Sequence, residues 1–417
     1  MMVSRVGRYA LIFLFLGLLG STRCVAQSKL SLKEAVDKAL ESRASLKANA
    51  ERVSIARGLR QQAGLVPNPQ FQFSNENLRQ GQTYGQDVDT FAFVTQPLDI
   101  LGKRKQRIAA AEGGVNRSQA EYEMARVEII QRVKLAYWAA RGAQQTQDLL
   151  RASVKAFQGI VEYHSARLSV GAISEQDFLR VRLEAERLQI DADLAAIEAV
   201  RARVQLFKEM GQTDFSDVIL SEPLEISGPP IPPMDLAQVL SHRVEMRVAN
   251  AAVAEAEAKA RLEKVSARPD LNLLYGYKRT QLPDTFSGAN TAIAGLQITL
   301  PIMNRNQGNR VAAAAELRRQ RQLLAATGAD VQANYYSALQ DYKLRLREVA
   351  TTLEPLRQHA QNISEIAQAA YAQGGIDLLR LLDAQRARIQ ANLAYVQGMV
   401  AYQQSVANLQ AAEGEIQ

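Results

Sequence analysis

Leu271-Asn272-Leu273-Leu274-Tyr275-Gly276-Tyr277-Lys278 and, one loop later, Ala292-Ile293-Ala294-Gly295-Leu296-Gln297-Ile298-Thr299-Leu300 decide the fold. In the first, Leu271, Leu273, Tyr275 and Tyr277 alternate with Asn272, Leu274, Gly276 and Lys278. In the second, Ala292, Ala294, Leu296, Ile298 and Leu300 alternate with Ile293, Gly295, Gln297 and Thr299. A period of two marks a strand with one apolar face. Two earlier segments carry the same rhythm, Phe71 with Phe73 and, more weakly, Phe91 with Phe93. Loops rich in Gly, Asp, Asn and Ser join each pair, at Arg79 to Asp87 and at Gln281 to Ala289. Strands of about ten residues, apolar on one side and small or polar on the other, build membrane β-barrels. Two hairpins of a soluble protein would show the same alternation.

Four strands cannot close a barrel alone. Each free edge would hold unpaired N–H and C=O groups in hydrocarbon, at roughly several kcal/mol apiece. If the strands lie in a membrane, several chains must share one barrel: three chains give twelve strands and two give eight. Periodicity does not choose between them.

Proline placement maps the rest. The 417-residue chain has 12 prolines, and none falls between Leu98 and Glu222, between Met234 and Arg268, or between Ile302 and Glu354. Such Ala/Leu/Glu/Arg-rich stretches read as helices. A first helix is expected from Leu30 to about Val66, opened by Ser31 with Glu34 as a capping box. A much longer helical region is expected from Lys103 to Met210, broken once near Val170-Gly171. At ~1.5 Å per residue, its first arm of some 65 residues is about 100 Å long. That length fits a coiled coil or the wall of a tall tube, not a compact domain.

The pattern occurs twice, about 200 residues apart. Leu40, Arg43, Leu46 and Pro69 answer to Leu240, Arg243, Met246 and Pro269. Gln96-Pro97-Leu98 answers to Leu300-Pro301-Ile302, and Gly171-Ala172-Ile173 to Gly374-Gly375-Ile376. The expected organisation is a leader over 1–26, a first repeat over 27–211, a proline-rich linker over 212–234 and a second repeat over 235–417. The linker holds Pro223, Pro229, Pro230, Pro232 and Pro233 and reads as an extended crossing segment without chemistry.

The leader has the parts of a secretory signal peptide. Arg5 and Arg8 supply the positive start and Tyr9 to Gly20 an apolar run too short to span a bilayer as a helix. Cleavage is expected after Ala26. Cys24, the single cysteine, raises lipidation as an alternative, but Arg23 directly before it spoils the small-residue box. With cleavage after Ala26 no thiol is left for disulfides or metal ligation. The formal charge of +7 includes Arg5, Arg8 and Arg23, so +4 remains. The remaining basic residues are interleaved with acidic ones, as in Arg180, Arg182, Glu184, Glu186 and Arg187, which reads as a solvated helix face and not a nucleic-acid surface.

The two helix breaks are the sharpest local motifs. Arg167-Leu168-Ser169-Val170-Gly171-Ala172-Ile173-Ser174 ends one helix at Gly171 and restarts at Ser174 with Asp177 three residues on. Tyr371-Ala372-Gln373-Gly374-Gly375-Ile376-Asp377 does the same before Leu378, Leu379, Leu381 and Leu382 resume the apolar stripe. Leu168 and Val170 are apolar at an exposed end, which helix termination alone does not explain.

Over essentially all of the chain after the leader, the sequence resembles the TolC family of outer-membrane efflux proteins. The resemblance is carried by Leu30-Ser31-Leu32-Lys33-Glu34-Ala35, the doubled strand pairs, the two glycine tips and Leu382-Asp383-Ala384-Gln385. Gln96-Pro97-Leu98-Asp99-Ile100-Leu101-Gly102-Lys103-Arg104 and Leu300-Pro301-Ile302-Met303-Asn304-Arg305-Asn306-Gln307-Gly308 resemble its cobalt-zinc-cadmium branch. The resemblance implies a mainly α protein with a membrane β-barrel portion. Long helical hairpins form a periplasmic α-barrel, and each chain of a homotrimer gives four strands to a shared twelve-stranded barrel in outer-membrane lipid. It implies a passive exit duct of a Gram-negative-type bacterium, docked on a periplasmic adaptor and, through it, an inner-membrane pump.

The adaptor-contacting tips would be Arg167, Leu168, Ser169, Val170, Gly171 and Ile173 with Gly374, Gly375 and Ile376. In the gate, Asp383 matches one ring aspartate, Asp177 a linking aspartate and Tyr371 the linking tyrosine. Arg380 replaces the second ring aspartate and Ile376 the linking arginine. Arg380, one turn before Asp383, is expected to pair with it or to soften cation selectivity. Heavy-metal cations are the expected cargo; drug efflux and type I protein secretion are alternatives within the family. A periplasmic coiled-coil spacer and the adaptor itself are alternatives outside it. His164, His242 and His359 are isolated along the chain, so no metal site is expected. Neither a phosphate-binding loop nor a Ser/His/Asp set occurs, and neither enzyme activity nor a cofactor is expected.

Overall fold

The computed structural model describes residues 28–415 except 79, 82–87, 227 and 281–288. The expected leader with Cys24, and most of both strand-joining loops, lie outside the described residues.

Chain order in the first half is β1 (Ser28–Leu30), α1 (Leu32–Ser42), α2 (Ala44–Ala63), β2 (Gln70–Glu76), β3 (Asp89–Leu98), α3 (Lys103–Ser169), α4 (Glu175–Met210) and β4 (Val218–Leu220). The second half runs α5 (Leu236–His242), α6 (Val244–Ser266), β5 (Asp270–Thr280), β6 (Ala289–Thr299), α7 (Gln307–Glu348), α8 (Glu354–Ala372) and α9 (Leu378–Glu413). The capping box forms as expected: Glu34 N–H donates to Ser31 Oγ at 3.2 Å, and Ser31 N–H donates to Glu34 Oε2 at 2.9 Å.

Several helices differ from expectation. The helix expected over Leu30 to about Val66 is two, because Arg43 leaves helical geometry at φ −67° and ψ 114°. The Arg43 guanidinium reaches the Glu209 carbonyl and carboxylate at the end of α4, the latter at 2.8 Å. Arg243 breaks α5 from α6 in the same way, donating to Ala411 C=O at 3.1 Å at the end of α9. The helical run read between Ile302 and Glu354 continues through Pro355. A π turn over Val349–Leu353 precedes it, and this wider turn accommodates the proline's missing N–H.

The 212–234 segment is more than a spacer. Its β4 pairs in parallel with β1, Leu30 opposite Leu220. Three tyrosines clip it to the helices. Tyr137 donates to Leu30 C=O at 2.9 Å and accepts Glu222 N–H at 3.2 Å. Tyr342 accepts Ile231 N–H at 2.9 Å, and Tyr335 accepts Met234 N–H at 2.8 Å. Around the strap lie two apolar cores, one built on Ile129, Val133, Tyr137, Leu206 and Met210, the other on Val331, Tyr342, Met399 and Leu409. A third, with Val181, Leu188, Leu381 and Leu382, lies toward the helix breaks.

Elements repeat one lateral order at three levels. The sheet runs β2-β3-β5-β6, all antiparallel. Next to it α3 packs on α2 and α6, and α6 on α7. Toward the breaks α3 packs on α4 and α9, and α9 on α8. Among the described residues β2 and β6 each pair with one strand, and α4 and α8 pack chiefly on α3 and α9. Those outer elements carry exposed apolar side chains: Leu183, Ile190, Leu194 and Ile197 on α4, and Leu356, Ile363 and Ile366 on α8. Among the described residues no helix is long and apolar enough to cross a membrane.

Register corrects the reading of β3. Phe71 lies opposite Val94, Val94 opposite Tyr275 and Tyr275 opposite Ala294, so Phe71, Phe73, Leu273, Tyr275, Leu296 and Ile298 share one face. Phe91 and Phe93 face Ser74, Gln72, Lys278 and Gly276 on the other side. Alternation gives the period of a strand but not its phase, which pairing fixes. The β2 strand, at 7 residues, is also shorter than expected; β3, β5 and β6 have 10, 11 and 11.

Tyr137→Phe leaves Glu222 N–H without its partner and removes one of the donors to Leu30 C=O, which keeps Ser221 N–H, and should destabilise the fold by about 1–3 kcal/mol. The check is the unfolding midpoint together with limited proteolysis, which should cut first within 212–234.

Candidate functional site

Both helix breaks lie at the end of the molecule opposite the sheet. At the first, Gly171 takes φ 72°; its N–H donates to Leu168 C=O at 2.9 Å and Ala172 N–H to Arg167 C=O at 2.8 Å. At the second, Gly374 takes φ 74°; its N–H donates to Tyr371 C=O at 3.0 Å and Gly375 N–H to Ala370 C=O at 2.8 Å. This is the six-to-one and five-to-two closure that ends a helix on a left-handed residue, hence on glycine. A side chain at either glycine would meet open space, so only the backbone angle demands the residue. New helices start at Ser174, whose Oγ accepts Asp177 N–H at 3.1 Å, and at Asp377, whose Oδ1 accepts Arg380 N–H at 2.9 Å. Val170 is 77% exposed; Arg167, Leu168, Ile173 and Ile376 are half-buried, and Ser169 and Gly375 exposed.

Behind the tips, Tyr371 meets His164, a residue expected to stand alone. His164 is fully buried, its Nε2 2.8 Å from Tyr371 Oη and its Nδ1 2.7 Å from Ile160 C=O. A carbonyl only accepts, so Nδ1 carries the proton. In the neutral ring Nε2 then accepts from the Tyr371 hydroxyl. The two rings stack 5.6 Å apart, and Arg167 lies over the neighbouring Tyr163 ring at 5.7 Å. Burial pushes the Tyr371 phenol above its usual range, which keeps its proton in place. Asp177 accepts from Ser174 Oγ at 2.8 Å, and its charge lies near enough to Tyr371 to add to the upward push on the phenol.

Asp383 is exposed and pairs with Arg386 at 3.4 Å. Arg380 is exposed and, among the described residues, has no ion-pair partner. Arg386 reaches across to α4 and grips Glu184 with two donors, one at 2.8 Å. Arg187 adds a bond to Glu184 at 3.1 Å. This bidentate pair ties the two hairpins together, and Arg386 holds the Glu184 carboxyl below its usual range. Its sequence signal was available: Val181, Glu184 and Leu188 share one helical stripe, as do Phe157, Ile160 and His164. A polar residue in an apolar stripe marks a buried partner. Among the described residues no group of three His, Cys, Asp or Glu could hold a metal ion.

The family model described as "Outer membrane efflux protein" matches residues 35–212 and 236–415. The chain belongs to the outer membrane efflux protein family. As such it is a channel of the Gram-negative outer membrane that extends into the periplasm, not an enzyme. This efflux protein is 25% identical over 372 residues to the cobalt-zinc-cadmium resistance protein CzcC of Cupriavidus metallidurans, covering 89% of this chain and 87% of that one. Its fold matches the MtrE outer membrane channel of Neisseria gonorrhoeae with a TM-score of 0.77 at 23% identity, covering 92% of this chain and 88% of that one. The CmeC channel of Campylobacter jejuni matches with a TM-score of 0.77 at 20% identity, covering 92% and 85%.

Because the folded Glu184 pKa lies below its unfolded value, near 4.5, its contribution is complete above that value and lost as pH falls through the folded one. The midpoint advantage of the efflux protein over its Glu184→Gln variant should therefore stay constant above about pH 5 and shrink in more acid solution. Thermal unfolding across pH checks this.

Proposed function

We propose that three copies of this chain form a passive exit duct for heavy-metal cations, delivered by an inner-membrane pump through a periplasmic adaptor. The observation that carries the reading is the pair of free edges. Among the described residues both β2 and β6 lack a second partner strand, while the face holding Phe71, Tyr275 and Leu296 is apolar and exposed. Joining β6 of one copy to β2 of the next satisfies both edges in hydrocarbon. Three copies give twelve strands. The same closure brings the α4 stripe of one copy against the α7 and α8 edge of its neighbour, burying Ile190, Leu194, Ile363 and Ile366 as coiled-coil contacts do.

The tips, Arg167 to Ile173 and Gly374 to Ile376, take the adaptor. Exposed Val170 beside two tight backbone closures gives a rigid apolar knob suited to a partner hairpin. At the aperture, three Asp383 side chains form the acidic ring. Arg380 stands near it, and Tyr371 and Asp177 hold the hairpins, with Ile376 in place of a linking arginine. The likeness to the cobalt-zinc-cadmium resistance protein supports divalent metal cations as cargo. The duct has no built metal site in this reading; it conducts, and selection lies upstream.

A strain deleted for the gene should accumulate zinc, cobalt and cadmium and become sensitive to them, with drug sensitivity unchanged. Drug sensitivity alone would move the cargo to drugs. Leucine at both Gly171 and Gly374 strains each left-handed turn by about 1–2 kcal/mol. It should abolish export while the protein still assembles in the outer membrane, as read by metal uptake and by native mass. Loss of assembly would assign the tips to folding and not to docking.

A further inference from the structure

One face of the sheet is more sheltered than the other. Along β5, Leu273, Tyr275, Tyr277 and Arg279 are exposed and alternate with half-buried Asn272, Leu274, Gly276, Lys278 and Thr280. On β6, Ile293 and Gly295 are half-buried between exposed neighbours. Among the described residues no helix packs on either face of the sheet, so the difference fits a sheet curved toward its sheltered, concave side. That side also holds most of the polar residues: Gln70, Gln72, Ser74, Thr95, Gln297 and Thr299. If the sheet is part of the proposed barrel, the concave side faces water.

Phe91 and Phe93 break the polar pattern on this side, and they lie together, ring centroids 6.0 Å apart. The Lys278 ammonium stands 4.8 Å from the Phe91 ring centroid and 3.5 Å from Asp89 Oδ2. Gly276 packs so tightly on Phe93 that a Cβ there would come 2.7 Å from the Phe93 Cβ and 2.5 Å from Ala92 O. The aromatic pair and the ion pair therefore occupy one level, toward the end of the sheet far from the helices.

We infer that Phe91, Phe93 and the Lys278–Asp89 pair form a collar inside the outer mouth of the duct that sets its ion selectivity. The inference rests on the proposed barrel. Among the described residues each copy contributes one ammonium, Lys278, and two carboxylates, Asp89 and, directly opposite it on the same face, Glu76, so the collar carries a net negative charge. Lys278 neutralises the Asp89 carboxylate and so lowers the hold of the collar on a passing divalent cation. Rings of charged side chains select the ions that pass them. Removing one member of each pair should therefore bias the mouth toward the ion of opposite charge to the group that remains.

The test is the reversal potential of purified full-length protein in planar bilayers under a potassium chloride gradient. Lys278→Gln should move it toward the cation Nernst potential and Asp89→Asn toward the anion one. In parallel, a charged thiol reagent added to the Phe93→Cys variant should lower the current in steps. The same reagent on Phe73→Cys, which faces the other way, should leave the current unchanged, as should reagent on the unmodified protein. Channels that conduct normally but show neither potential shift nor block at position 93 would overturn the collar. Absence of any conducting oligomer from the unmodified protein would overturn the barrel beneath it, a separate result.

Discussion

Backbone hydrogen bonds at two sheet edges constrain everything else in this molecule. A strand edge in hydrocarbon has no water to satisfy it, and each unmet group costs about several kcal/mol. Here β2 and β6 each have a single partner strand, and the outer face carries Phe71, Phe73, Tyr275 and Leu296. The helices meet the same constraint in a softer form. Exposed apolar stripes on α4 and α8 lose only area-proportional free energy when left in water. In the proposed duct the edges dictate closure, and the stripes favour the same arrangement.

Precision below the sheet comes from polar contacts that fasten long helices at chosen heights. Arg43 and Arg243 break two helices where guanidinium groups can cap the ends of α4 and α9. Tyr137, Tyr335 and Tyr342 fix the crossing strap by its backbone. Nearer the tips, Glu184 with Arg386 and His164 with Tyr371 join the two hairpins. Helices packed along a stripe of Ala and Leu can slide; a bidentate ion pair or a buried hydroxyl bond fixes their register.

Much of this was legible in the sequence, for identifiable reasons. Proline-free runs gave the long helices, Gly171 and Gly374 gave the tips, and period-two alternation gave the strands. Phase was not legible: Phe91 and Phe93 alternate as a lipid-facing pair would, yet their register with Gln72 and Lys278 turns them to the concave side. Partnership across some 200 residues was equally hidden. His164 looked isolated because its partner Tyr371 lies 207 residues away, and Glu184 gave no hint of Arg386, which bonds it across 202 residues and also reaches Asp383. Position in an apolar stripe was the usable clue in both cases.

The proposed shared barrel is tested most directly by the mass of the protein extracted from the outer membrane in mild detergent, measured by light scattering with the detergent contribution subtracted. The account predicts three chains per particle. A single chain, stable and folded in detergent, would contradict it, because both sheet edges would then persist without partners.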